Sequence, residues 1–183
     1  MYRSSLVFIL SFLALSACNP DKSKRVDQTT ISFETNDASK LFFKNLRQTY
    51  YDKEEMVAAK LDVYRLKKRN IDNQRPVINL AIVNNWRYDE AYLLLEPNSL
   101  LQLNELSVNW TNKKTGEQGT VTFENGNKRS IVRFADQLYE LIQQESKLTV
   151  IIDGKSVDII NNSKDSEAFR ITMVDYYRLV QRL

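Results

Sequence analysis

The chain has 183 residues, of which 26 are basic and 23 acidic, for a formal net charge of +3. It has no histidine, and its one cysteine is Cys18. Serine–histidine and cysteine–histidine hydrolases are therefore excluded in their usual forms. The ordinary ligands of zinc, copper, haem and iron–sulfur sites, histidine and free cysteine, are also missing, so such sites are not expected. No spaced acidic loop suited to calcium is present, so no cofactor is predicted. The balanced charge does not favour nucleic-acid binding.

Residues 1–17 have the layout of a secretory signal. Arg3 provides one positive charge, residues 6–15 are almost all apolar, and small residues follow. At about 1.5 Å per residue, such a run reaches only about half of the roughly 30 Å hydrocarbon core of a bilayer. The segment is therefore predicted to be removed by cleavage rather than kept as a transmembrane helix.

The motif Leu15-Ser16-Ala17-Cys18 at the end of this signal resembles the lipobox of bacterial lipoproteins. The resemblance implies that Cys18 carries a thioether-linked diacylglycerol and becomes the first residue after cleavage. Its new amino group is a further acylation site. Two or three acyl chains give stable attachment, since each buried methylene contributes about 0.8 kcal/mol. The alternative is an incidental cysteine, which fits poorly beside a polar and charged segment.

The residue after Cys18 bears on the destination of the protein. In Gram-negative lipoproteins an aspartate at this position favours the inner membrane, and this chain has Asn19. The resemblance therefore implies the outer membrane, with the domain facing the periplasm or the cell surface. A Gram-positive surface is the alternative. Residues 18–28 are predicted to form the lipidated cysteine and a polar tether, and residues 29–183 a single globular domain or two small lobes meeting near 97–101.

The first half of this domain predicts a strand, a helix and then more strands. Residues 29–34 alternate, with Ile31 and Phe33 on one face. A helix capped by Asn36 and Asp37 is predicted to run to about Tyr51. Its apolar face would consist of Ala38, Leu41, Phe42, Leu46 and Tyr50.

Residues 53–67 fit both a helix and a strand, and we predict a strand over 59–67. A basic loop over 67–76 is followed by two short apolar runs, which predict buried strands over 77–83 and 91–95.

The second half predicts two hairpins and two helices. The strands of the first hairpin cover 106–112 and 119–125, and those of the second cover 147–152 and 157–160 around Asp153-Gly154. Helical periodicity covers 127–144 and 163–183. Mixed helices and frequent hairpins predict an α+β fold: a mostly antiparallel sheet with about three helices packed against it.

Residues 84–90 connect the two apolar strands and are the best candidate for a binding site. Trp86, Arg87 and Tyr88 are of the types that dominate binding hot spots, and loops on a rigid sheet often carry binding surfaces. The alternative is that both rings pack back on the core while Arg87 pairs with Asp89 or Glu90.

These features together predict a membrane-anchored envelope lipoprotein that binds or helps to assemble another envelope protein. A second hypothesis is an enzyme acting on envelope glycan or peptide through carboxylates, with Asp89 and Glu90 as the candidates. A third is a carrier of lipid or another small ligand, which requires an apolar cavity.

Overall fold

The computed structural model describes residues 31–124, 126–160 and 162–183. The predicted signal (1–17), the lipidation site Cys18 and the tether (19–28) lie outside the described residues and stay predictions. Among the helices that the structure describes, none is both long enough and apolar enough to cross a membrane.

The described residues form two four-stranded antiparallel sheets and three α-helices, which confirms the predicted α+β class. The first sheet has the order β1 (Tyr51–Met56), β2 (Leu61–Leu66), β3 (Ile78–Asn85), β4 (Glu90–Pro97). The second has the order β6 (Gln118–Thr122), β5 (Ser107–Thr111), β7 (Lys147–Ile152), β8 (Lys155–Ile159). The helices are α1 (Asp37–Phe42), α2 (Lys128–Gln143) and α3 (Ser163–Leu179).

The strand register decides which face of the first sheet enters the core. Tyr64, Ile82 and Leu93 are aligned across β2, β3 and β4, and all three are buried. Helix α3 packs on β3 and β4, and α2 packs on β4 and β6. One hydrophobic cluster therefore contains residues of both sheets and of both long helices, such as Leu93, Val108, Leu138 and Met173. The single domain from residue 29 and its division near 97–101 stay predictions.

The predicted first strand over 29–34 is wrong for the residues that are described. Glu34 makes only an isolated antiparallel bridge to Glu90. The Thr35 N–H donates to the Asp89 carbonyl and the Ala91 N–H donates to the Phe33 carbonyl, both at 2.8 Å. The capping box of Asn36 with Ser39 then turns the chain into α1 before more pairing can form.

The helix predicted to run to Tyr51 ends its regular part at Phe42. A π-helical turn (Phe43–Arg47) and a 3₁₀ turn (Gln48–Tyr50) follow, and Tyr51 already belongs to β1. The wide turn places Phe43 in the core, where its ring centroid lies 5.5 Å from that of Tyr51 and 5.0 Å from that of Tyr64. The five residues of the predicted apolar face are therefore exposed and do not pack in the core.

The edge strand β1 has no counterpart among the predicted strands. Only its first residue is buried, so its sequence lacks the alternating apolar pattern that predicts a strand. Its charged side chains instead pair along the sheet: Lys53 with Asp62 at 3.2 Å and Glu54 with Arg65 at 2.6 Å. The strand predicted over 59–67 is confirmed as β2. It begins after Lys60, whose φ of 58° closes the turn from β1.

The other predicted elements are confirmed with small shifts of their ends. The hairpin turn at Asp153 and Gly154 has positive φ at both residues, as the sequence pair predicts. Helix α3 ends at Leu179 rather than Leu183. Beyond it, Gln181 has a φ of 57°, and the following Arg182 turns back to pair with Asp136 of α2.

Two buried carboxylates connect α3 to its neighbours. Asp175 of α3 accepts hydrogen bonds from the Tyr51 hydroxyl at 2.7 Å and from Nε of Arg47 at 2.8 Å. Asp136 of α2 accepts from the Tyr177 hydroxyl at 2.8 Å and from the Arg182 guanidinium at 3.1 Å. Each buried charge is thus paired and hydrogen-bonded, as burial in a low-dielectric interior requires.

The Tyr177 contact predicts a specific loss of stability in alkali. Burial raises the pKa of the Tyr177 phenol above its ordinary value of 10.0, and the Asp136 carboxylate raises it further. Because the folded-state pKa is the higher one, this stabilisation is complete below pH 10 and is lost as the pH rises beyond it. We expect Tyr177→Phe to reduce the slope of unfolding free energy against pH by about 1.4 kcal/mol per pH unit above 10. Urea unfolding from pH 8 to pH 11 measures both slopes, and equal slopes would contradict the contact.

Candidate functional site

The predicted site lies in the turn between β3 and β4, at one end of the first sheet. The two strands are paired along their whole length, from Ile78 with Pro97 to Asn85 with Glu90. Residues 86–89 form the turn. Asn85 stabilises it, because its carbonyl accepts from the Tyr88 N–H at 3.3 Å and its side-chain Oδ1 accepts from the Arg87 N–H at 3.2 Å. The turn is therefore short and carried by a fully paired hairpin.

Both aromatic side chains of the turn are exposed. Trp86 is 47% exposed and Tyr88 is 62% exposed, and Arg87 is exposed as well. The alternative interpretation, in which the two rings pack back on the core, is therefore wrong. A cation lies over each ring: Nζ of Lys60 is 5.6 Å from the Trp86 ring centroid, and the guanidinium carbon of Arg87 is 5.2 Å from that of Tyr88. These contacts orient the rings while leaving them accessible.

The β1–β2 turn lies beside the β3–β4 turn. Met56 pairs with Leu61, which pairs in turn with Asn85, so both turns are at the same end of the sheet. Val57 in the first turn is 70% exposed. We use the name turn surface for the exposed residues of both turns, namely Val57, Lys60, Trp86, Arg87 and Tyr88. Sequence reasoning missed Val57 and Lys60, because their proximity depends on recognising β1 as a strand.

The two carboxylates of the turn contact different helices. Oδ1 of Asp89 lies 2.8 Å from Nζ of Lys40 in α1. Oε2 of Glu90 lies 2.7 Å from Nζ of Lys128 in α2. Neither carboxylate pairs with Arg87, and the two do not converge on one cleft as the enzyme hypothesis requires.

A cleft of about 810 Å³ lies between the end of α2, β7, β8 and the start of α3. Charged side chains of both signs line it, among them Lys147, Asp158 and Arg170. Apolar side chains contribute only Ile142, Leu148 and Ile160. This open cleft of mixed polar and apolar lining differs from the enclosed apolar cavity that a lipid carrier needs. In the described part of the chain, no group of three Cys, Asp or Glu side chains is placed to hold a metal ion.

Comparison with known proteins gave no match: no family model, curated protein or solved structure is significantly similar to this chain. Function must therefore be argued from the residues of the site.

Because the turn is exposed, substitutions in it should destabilise the fold much less than a substitution in the core. We expect Trp86→Ala and Tyr88→Ala each to change the free energy of unfolding by about 1 kcal/mol at most, because surface substitutions remove little packing. The buried control Phe43→Ala should cost about 3 to 5 kcal/mol. Urea unfolding measures all three. A turn variant that loses as much stability as the control would indicate that its ring is packed in the core.

Proposed function

We propose that this protein is a lipid-anchored protein of the bacterial envelope whose folded domain binds another envelope protein through the turn surface. The observation that carries the proposal is the exposed pair Trp86 and Tyr88, each ring under a cation, at the end of a fully paired hairpin. Rigid aromatic side chains bury much area at little entropic cost, which is why they dominate binding hot spots.

The charge of the turn surface indicates the chemistry of the partner. Among the described residues, no carboxylate forms an ion pair with Lys60 or Arg87. The nearby carboxylates of Asp89 and Glu90 are already paired with lysines of the helices. A complementary partner therefore offers an apolar pocket for the rings and carboxylates at its rim, since complementary charge favours association and orientation.

The anchor supplies the location in this proposal. Cys18 follows an apolar signal and the lipobox-like residues Leu15, Ser16 and Ala17, and lipidation there would attach the domain to a membrane. Asn19, rather than aspartate, after the cysteine supports the outer membrane.

The partner is tested by photo-crosslinking in intact cells. A photoreactive residue at position 87 should give a discrete protein adduct, because this position is exposed in the centre of the turn surface. Position 24 in the predicted tether is one control, and position 155, exposed at the start of β8 in the second sheet, is another. We expect Trp86→Ala combined with Tyr88→Ala to abolish the adduct from 87. The same adducts from all three positions, or none from 87, would refute binding through this surface.

The anchor is tested by metabolic labelling with a fatty acid. Wild-type protein should incorporate the label, and Cys18→Ala should not, because Cys18 is the only thiol of the chain. The variant should also leave the membrane fraction on cell fractionation. Label in Cys18→Ala equal to that of the wild type would rule out this residue as the anchor.

A further inference from the structure

The helical segment before β1 exposes an apolar surface of its own. Leu41 is 59% exposed, Leu46 is 57% exposed, and Phe42 and Tyr50 are exposed beside them. We call these four residues the exposed stripe. Phe42, Leu46 and Tyr50 are spaced four residues apart, and all three are exposed although the segment changes from α-helix to π-helical and 3₁₀ turns. Apolar side chains concentrated in this way commonly mark a binding surface.

Contacts on the other side of the segment fix this orientation. Phe43 is buried between Tyr51 and Tyr64. The Ser39 hydroxyl donates to the Leu179 carbonyl of α3 at 2.8 Å, and Arg47 pairs with the buried Asp175. The segment therefore cannot rotate its stripe into the core without breaking these contacts.

The side-chain charges within residues 38–50 are all positive, although Lys40 pairs with Asp37 and Asp89 and Arg47 pairs with Asp175. Residues 38–50 contain Lys40, Lys44 and Arg47 but no aspartate or glutamate. The guanidinium carbon of Arg47 lies 4.8 Å from the Tyr50 ring centroid, and that of Arg178 lies 5.8 Å from the ring centroid of Phe42. Leucine and aromatic side chains beside cations are typical of helices that lie in the interface of an anionic bilayer. Long basic side chains can keep their charge at the headgroups while their methylenes lie deeper.

We propose that the exposed stripe docks on the surface of a bilayer that contains anionic lipid, an inference that rests on the proposed anchor at Cys18. Twelve residues lie between Cys18 and Ile31, so even a fully extended connection holds the start of the described domain within about 45 Å of the lipid. Helix α1 begins only six residues later. Because the anchor makes the second contact intramolecular, a stripe of modest intrinsic affinity is sufficient.

Docking would also orient the turn surface. Lys40 in α1 is 2.8 Å from Asp89, so the start of the segment lies beside the β3–β4 turn. A domain attached by Cys18 alone could rotate freely on its tether. A domain attached by Cys18 and the exposed stripe would present the turn surface at a fixed height and angle to partners in the same membrane.

The test uses the mature lipidated protein, from Cys18 onward, in vesicles. Lipidation consumes the thiol of Cys18, so Leu46→Cys introduces a single reactive thiol in the stripe. Ile151→Cys is the matched control, because Ile151 is also 57% exposed but lies in the second sheet. Each thiol is labelled with an environment-sensitive nitrobenzoxadiazole dye. The vesicles contain phosphatidylcholine with phosphatidylglycerol, and spin-labelled lipids serve as quenchers.

We expect blue-shifted emission and lipid quenching at position 46, and water-like emission without quenching at position 151. Vesicles of phosphatidylcholine alone should weaken the effect. Adding Lys44→Gln should lower the docked-to-free ratio about fivefold, the effect of removing one surface cation.

Three other outcomes would overturn the docking. Water-like emission at 46 in vesicle-bound protein would show that the anchor holds but the stripe stays in solution. Shielding at 46 that spin-labelled lipids do not quench would assign the stripe to a protein partner. Protein that leaves the vesicles altogether would remove the anchor, and with it this inference. Crosslinking from position 87 reports on the turn surface independently of all three.

Discussion

The buried carboxylate of Asp175 holds the first half of the fold in place. It is only 1% exposed, and it accepts hydrogen bonds from the Tyr51 hydroxyl and from Arg47. These two donors stand at the start of β1 and in the π-helical turn before it, so one side chain of α3 fixes both elements. Since removing either partner would leave buried polar atoms unsatisfied, few other positions of the segment are accessible. The outward face of the stripe is a consequence of this constraint.

Asp136 makes the equivalent contacts on the second half of the fold. It binds Tyr177 and Arg182 from the end of α3, and burial raises the pKa of Asp136 although the hydrogen bond from Arg182 lowers it. Helix α3 thus takes part in two tyrosine–arginine–carboxylate clusters, one with β1 and one with α2. Buried ion pairs of this kind contribute little net stability because desolvation offsets the attraction. Their effect here is to select one arrangement of helices against the sheets.

Local patterns made most of this fold predictable, and the exceptions have physical causes. The strands β3 and β4 are apolar and bounded by turn residues, and Asp153-Gly154 specifies its hairpin. Strand β1 lacks such a pattern, since most of its residues are charged. These charges pair with residues of β2 that only the strand register brings close. The periodicity of the first helix indicated an apolar face. In the structure the π-helical turn buries Phe43, and the residues of the predicted apolar face are exposed instead. At the candidate site, the sequence identified Trp86, Arg87 and Tyr88, whereas their exposure and the proximity of Lys60 depend on tertiary structure.

Backbone and side-chain contacts hold the start of the segment that carries the exposed stripe beside the β3–β4 turn. The Thr35 N–H donates to the Asp89 carbonyl, and Lys40 pairs with the Asp89 carboxylate. Asp89 itself has a φ of 53°, a conformation that is costly outside glycine and persists where surrounding contacts determine it. Since these contacts hold the turn rigidly against α1, any surface that binds the stripe also fixes the direction of Trp86 and Tyr88. In the proposed docked state, a partner recognised by the turn would therefore be selected by its height above the membrane as well as by its chemistry.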